Sequence, residues 1–272
     1  MKIAFFIKKK NLEGDESIAG ALSYLREHEC SVYDLLQDGL QEGTSLILCF
    51  GGDGTILSVA PLASAKGIPV LGINMGRMGF LSDNKMEDVL RLALSGEFAT
   101  ESRRMLQCTV KAQDGTVRGS FTALNDVCVR RSSAGMLGTE VTLDGSPLPT
   151  YWADGVILCT STGSTAYSLS VGGPICAPSS DVFVLSPIAP HNLNMRPLVI
   201  PAVSFLTFRV HNSEKVGAVV SVDNHEYPLR GGDAVEVGAA PKPLILALTQ
   251  KSNFTDALQS KLFWGEDIRN LK

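Results

Sequence analysis

Residues 45–73 read SLILCFGGDGTILSVAPLASAKGIPVLGI, and the fold turns on them. Ser45 to Phe50 is a continuous apolar run, the pattern of a strand buried on both faces. Gly51 to Thr55 is a turn, and Ile56 to Ala65 reads as a helix. Pro61 interrupts that helix, so a kink or an irregular first half is expected. Ile68 to Ile73 is another buried strand. The alternation extends outward. Ile3 to Ile7 is a short apolar strand, and Asp15 to His28 carries Ile18, Leu22 and Leu25 at helical spacing. Asp15 and Glu16 suit the positive end of that helix. Met86 to Leu94 is a helix that Gly96 can cap. Residues 1–100 are therefore expected to form a doubly wound, Rossmann-like α/β domain on a parallel sheet.

Beyond residue 101 the texture changes. Short strands recur between hairpin signals: Asp114-Gly115, Asp144-Gly145 and later Gly231-Gly232. Residues 203–210, 216–222 and 243–249 are rich in Val, Leu, Ile and Phe. Residues 101–250 read as an all-β, sandwich-like domain. Residues 251–272 hold a short helix, Phe254 to Phe263, expected to pack back on the first domain.

Composition narrows the function. The chain has 272 residues, enough for one large or two ordinary domains. Hydrophobic residues make up 44% and can build a core, which excludes wholesale disorder. A net charge of −4 argues against nucleic acid as a partner. No apolar run approaches the ~20 residues of a membrane span, so no membrane partner is expected. The run Ile3 to Ile7 is too short for a signal peptide and is followed by Lys8, Lys9 and Lys10. Cysteines 30, 49, 108, 128, 159 and 176 contain no C-x-x-C pair and read as reduced thiols of a cytoplasmic protein. His28, His191, His211 and His225 have no ligand spacing, so no protein-held metal is expected.

Four segments carry chemistry. In Phe50 to Ser58, Gly51, Gly52 and Gly54 permit positive φ and let backbone N–H groups converge on a phosphate. Thr55 is the expected helix N-cap. Asp53 weakens anion binding and so needs another role, such as general base or a contact to a metal's shell. The alternative is an ordinary β-to-α turn in which Asp53 makes a local hydrogen bond. Gly72 to Leu81 (GINMGRMGFL) follows the next strand and should neighbour that turn, because ligands sit beyond the carboxyl ends of strands. There Phe80 either packs on a planar ring or staples the following helix. Asn125 and Asp126 break an apolar strand, either to hydrogen-bond a purine edge or ribose diol or at a strand end or bulge. In Asp154 to Pro174 a strand runs into Thr160, Ser161, Thr162, Gly163, Ser164 and Thr165, and so many hydroxyls point to a polar ligand rather than a solvated loop.

Together GGDGT (51–55), GINMGRMGFLSD (72–83), LNDV (124–127), DGVILCTSTGSTAYSLSVGGPI (154–175) and SPIAPHNLNMRPLVI (186–200) resemble a bacterial NAD kinase over nearly the whole chain. GGDGT alone is shared with lipid kinases and phosphofructokinases, whereas TGSTAYSLSVGGP and PHNLNMRPLVI are far more particular. The resemblance implies an α/β domain, a β-rich domain and an active site in a cleft between them. It implies transfer of phosphate from ATP, or polyphosphate in some members, to the 2′-hydroxyl of the adenosine ribose of NAD. A divalent metal, Mg²⁺, would be carried with ATP. By motif, Asp53 would be the base, with Gly54 lining the same site. Phe80, Asn125, Asp126, Asp154, Thr162, Thr165, Ala166, Tyr167 and Ser170 would bind NAD. Ala189 matches a position that reaches a neighbouring subunit's ligand, which implies a homodimer or homotetramer. Two residues depart from the pattern. Trp152 stands where many relatives have Arg and would stack in place of the charge, and Ser161 stands where they have Pro. His225 falls in a variable region and is not counted among the site residues. The competing functions are a lipid kinase of the same superfamily, which should show a basic or apolar membrane face, and a non-catalytic nucleotide sensor, which should lack Asp53.

Overall fold

A computed structural model describes residues 1–76, 79–82, 84–211, 213–249 and 254–265. Arg77, Met78 and Asp83 of the second glycine segment lie outside them. The chain begins β1 (Lys2–Ile7), α1 (Glu16–Glu27), β2 (Ser31–Asp34), α2 (Leu35–Asp38), β3 (Leu46–Phe50), α3 (Asp53–Lys66), β4 (Val70–Ile73), α4 (Met86–Ser95) and β5 (Ala99–Arg103). It continues through β6 (Leu106–Lys111), β7 (Val117–Ala123), β8 (Asp126–Arg131), β9 (Leu137–Leu143), β10 (Ser146–Pro147), β11 (Tyr151–Ala153), β12 (Gly155–Thr160) and α5 (Tyr167–Ser170). The rest is β13 (Val182–Ile188), β14 (Leu198–Pro201), β15 (Leu206–His211), α6 (Ser213–Val216), β16 (Ala218–Val222), β17 (His225–Leu229), β18 (Ala234–Ala239), β19 (Leu244–Leu248) and α7 (Phe254–Leu262).

Two compact units result, Met1–Ser102 with Leu244–Lys272, and Arg103–Pro243. In the first, the sheet order is β2-β1-β3-β4-β19-β5, with β2, β1, β3, β4 and β19 parallel. β3 is buried throughout, as its uninterrupted apolar sequence requires. α1 and α4 share one face of the sheet through Ile18, Leu22, Leu25, Val89 and Ala93. α3 covers the other, where its Ile56 lies so close to Gly72 of β4 that a Cβ there would fall 2.6 Å from it. This is the doubly wound α/β arrangement. The strand order reverses between β1 and β3, so the ligand-binding switch point of the fold lies at their carboxyl ends, where Gly51 begins.

Several expectations are corrected here. α3 runs from Asp53 to Lys66 through Pro61, starting at Asp53 rather than Ile56. Its N-cap is Gly52, and Thr55 is buried inside the first turn, where its N–H bonds Gly52 O at 2.9 Å. Only Gly51 of the turn glycines takes positive φ, 153°, and a Cβ there would fall 2.2 Å from Thr55 Oγ1. Residues 244–248, placed by sequence in the β-rich domain, form β19 of the first unit's sheet. A hydrophobic strand fits either unit, and only pairing to β4 chooses between them.

The second unit is a sandwich of two antiparallel sheets, ordered β10-β9-β15-β18-β6-β7, with β11 beside β9, and β14-β13-β12-β8-β16-β17. Their inner faces share one core that includes Val110, Val129, Leu158, Phe183, Phe208 and Val237. Asp144-Gly145 closes the β9–β10 hairpin with φ of 50° and 80°, as its sequence demands. Gly231-Gly232 is not a hairpin turn, because β17 and β18 belong to different sheets and the pair carries the chain from one to the other.

Candidate active site

In the first unit the turn after β3 is held by Gly51 N–H, which donates to Ile73 O of β4 at 3.0 Å. Gly52 supplies no side-chain cap to α3. The first turn of a long helix thus stands half-buried at the switch point with no side-chain cap, the usual setting for a phosphate. Gly51, Gly52, Gly54 and Thr55 lie together there.

Asp53 makes no local turn bond. Its carboxylate reaches residues 80–82 instead. Oδ1 accepts Leu81 N–H at 3.0 Å, Ser82 N–H at 3.2 Å and Ser82 Oγ at 3.1 Å, and Oδ2 accepts Phe80 N–H at 2.7 Å. A Cβ on Gly79 would fall 1.9 Å from Oδ1, so this approach needs glycine. The two glycine segments read separately from sequence are therefore joined through one carboxylate. Phe80 is half-buried and its ring lies 5.0 Å beneath Lys261 Nζ of α7, which also donates to Gly79 O. Sequence reading missed Lys261, which lies far along the chain, and gave no role to Ser82, although it stands within the 72–83 segment.

In the second unit, Asn125 and Asp126 sit at the corner where β7 of one sheet gives way to β8 of the other. The broken apolar pattern is thus a strand end. It is also a packed junction. Thr160 N–H donates to Asn125 O at 2.9 Å, and Thr160 Oγ to Leu124 O at 2.6 Å. The hydroxyl-rich loop sits directly on this corner, for a Cβ on Gly163 would fall 2.1 Å from Asn125 O. Several of its hydroxyls are taken up by the protein: Thr165 Oγ1 donates to Thr162 O and Ser164 Oγ to Ser161 O within the loop, Ser161 Oγ donates to Pro178 O, and Ser168 Oγ lies 3.4 Å from Ser186 Oγ of β13. Thr162 is buried, Thr165 and Ala166 are half-buried, and Tyr167 and Ser170 are exposed. Ala166 breaks the loop into a short 3₁₀ turn and α5 with φ −100° and ψ −130°.

Asp154 is gripped by Arg131, Nε to Oδ1 at 2.8 Å and Nη2 to Oδ2 at 3.1 Å. That guanidinium holds its carboxyl below the ordinary value. Asp154 N–H donates to Ile188 O, which places Asp154 beside exposed Ala189, itself at φ 45°. Trp152 is 39% exposed and packs one side of its ring on the neighbouring strand. Its ring lies over Gly138 of β9, where a Cβ would fall 2.7 Å from it. Sequence reading also missed Asp223, in the turn between β16 and β17, which receives the N–H groups of Leu124, Asn125 and Asp126.

Among the described residues no group of three or more His, Cys, Asp and Glu side chains is placed to hold a metal ion. Among them, too, no helix is long and apolar enough to cross a membrane.

Family models for the ATP-NAD kinase N-terminal and C-terminal domains match residues 9–95 and 124–248. An NAD kinase of Flavobacterium psychrophilum is 37% identical over 85% of this chain and 80% of its own. One from Wolinella succinogenes is 34% identical over 96% of this chain and 91% of its own. Among solved structures, yeast NADH kinase complexed with NADH superposes with a TM-score of 0.88 at 25% identity, covering 100% of this chain and 90% of that one. These relatives favour neither a lipid kinase nor a nucleotide sensor.

Proposed function

The chain belongs to the NAD kinase family, and from that premise we propose how its residues divide the work. The enzyme is an NAD kinase, with NAD and ATP as substrates. Its product is NADP, phosphorylated at the 2′-hydroxyl of the adenosine ribose. Magnesium enters as part of the ATP substrate.

Asp53 accepts the proton of the 2′-hydroxyl. The observation that carries this is its place, the first residue of α3 at the switch point. Oδ1 already takes three donors, while Oδ2 takes one and keeps a lone pair for the substrate. The Phe80–Ser82 backbone keeps the carboxylate oriented before substrate arrives. Gly51, Gly52, Gly54 and Thr55 receive a phosphate group, and Phe80 walls the adenosine. Asn125, Asp126, Asp154, Thr162, Thr165, Ala166, Tyr167 and Ser170 hold the dinucleotide. Ala189 reaches a neighbouring subunit's ligand in a homodimer or homotetramer. The thiols, none in a disulfide among the described residues, suit a reducing compartment. The enzyme is accordingly assigned to the cytoplasm, which cell fractionation tests.

Asp53→Asn keeps the volume and removes the basicity, so kcat for NADP formation should fall ~10²–10⁴-fold. Ser82→Ala removes one donor to Oδ1 but leaves the base, and should stay within about fivefold of the parent. Asp53→Asn retaining more than about a tenth of the parent kcat would exclude Asp53 as the base.

A further inference from the structure

Leu124 and Asn125 lie between β7 of one sheet and β8 of the other, and Asp126 is the first residue of β8, so the strand ladders leave much of this backbone to be completed by other groups. Each of their six backbone polar groups is nonetheless paired. Leu124 N–H donates to Asp223 Oδ2 at 2.9 Å, and the N–H groups of Asn125 and Asp126 donate to Oδ1 at 2.9 and 3.2 Å. Asp126 O accepts Asp223 N–H at 3.0 Å. The carbonyls of Leu124 and Asn125 go to Thr160. One carboxylate thus stands in for the carbonyl groups a neighbouring strand would supply.

The backbone of Asp223 shows that the carboxylate matters there. Its φ is 48°, in a two-residue turn between Val222 and His225. Glycine takes that conformation without cost and is the usual choice. Asp223 is also half-buried beside a second carboxylate, Asp126, and its charge adds to the desolvation that disfavours charge on Asp126. Aspartate is one of the few residues with a side chain that adopt this conformation readily, and its carboxylate here collects three N–H bonds that glycine could not.

We propose that Asp223 is a positioning residue for NAD: its carboxylate fixes the Leu124–Asp126 backbone so that the Asn125 and Asp126 side chains, freed from bonding the chain itself, meet the dinucleotide. The Asn125 amide makes no hydrogen bond among the described residues, as a group kept for a ligand would. The inference rests on the reading of Asn125 and Asp126 given above.

Asp223→Gly tests it, because glycine relieves the turn while removing the carboxylate. KM for NAD should rise about tenfold or more, with KM for ATP within about twofold, since unfixed N–H groups cost that much in binding. In an Asn125→Ala background, which alone should raise KM for NAD similarly, Asp223→Gly should add less than its full effect. If Asn125→Ala raises KM for NAD and Asp223→Gly does not, the positioning role is wrong and the NAD-binding pair stands. If neither Asn125→Ala nor Asp126→Ala moves that KM, the pair and the positioning role fall together. Equal rises in both KM values, or a loss confined to kcat, would show a merely structural part and overturn the proposal. Should Asp223→Gly fail to fold, Asp223→Asn keeps the shape and one acceptor oxygen, and its KM for NAD should lie between parent and tenfold; an unchanged value there overturns the proposal.

Discussion

Burial sets the character of Asp126. It is 6% exposed at the start of β8, and desolvation, with the Asp223 charge nearby, pushes its carboxyl from 3.8 up to about 7. A folded-state value above the unfolded one means that the folded chain binds the proton more tightly. The stability this contributes is complete below pH ~4 and is lost as pH rises through ~7. Asp114 and Asp154, held low by hydrogen bonds, run the other way and lose their contribution as pH falls through their depressed values. Comparison with a variant isolates Asp126. Asp126→Asn should match the parent near pH 4 and exceed it at pH 8 by on the order of a few kcal/mol. Urea unfolding at both pH values measures the difference, and a variant no more stable than the parent at pH 8 contradicts it.

At the scale of elements, glycines decide how closely segments approach. The loop after β12 rests on the Leu124–Asp126 corner because Gly163 has no side chain, and the atom a Cβ would strike is a backbone oxygen that cannot swing away. Gly163→Ala should therefore move the whole Thr162–Ser170 segment. Overpacking of this kind costs ~1–3 kcal/mol. A thermal melt should show that loss, and KM for NAD should rise with it. An alanine variant with parental melting and KM would mean that the loop and corner are not coupled. Gly96 shows the gentler use of glycine, ending α4 at φ 69° with its N–H on Leu92 O, as its place after the helix foretold. α3 shows where local reading stops. Pro61 removes one hydrogen bond of the helix, yet α3 is helical on both sides of it, where its buried residues Ile56, Val59, Ala60 and Ala63 anchor it.

For the whole molecule, the outstanding expectation is assembly. Ala189 is exposed, and β14, at the edge of its sheet, leaves Leu198 and Val199 exposed at 38% and 49%. An apolar, unpaired strand edge is a surface that soluble proteins usually cover. Light scattering at assay concentration should give a dimer or tetramer, and a fully active monomer would exclude that arrangement.

By itself the sequence determined the two kinds of layer and the chemistry of the loops. Uninterrupted apolar runs such as Leu46–Phe50 can only be strands covered on both faces, and Asp144-Gly145 can only turn tightly. TGSTAYSLSVGGP and PHNLNMRPLVI, taken with GGDGT and LNDV, carried the family because each is a local pattern and their combination is particular. What the tertiary structure decided is every pairing between distant segments. β19 joins the first unit because β4 offers it an edge, a fact no property of Leu244–Leu248 contains. Asp53 binds residues 80–82, Arg131 binds Asp154, and Asp223 completes the Leu124–Asp126 corner. A hydrogen bond depends on where two groups are brought in space. Periodicity and composition fix what a segment can form, and only the packed chain fixes which partner completes it.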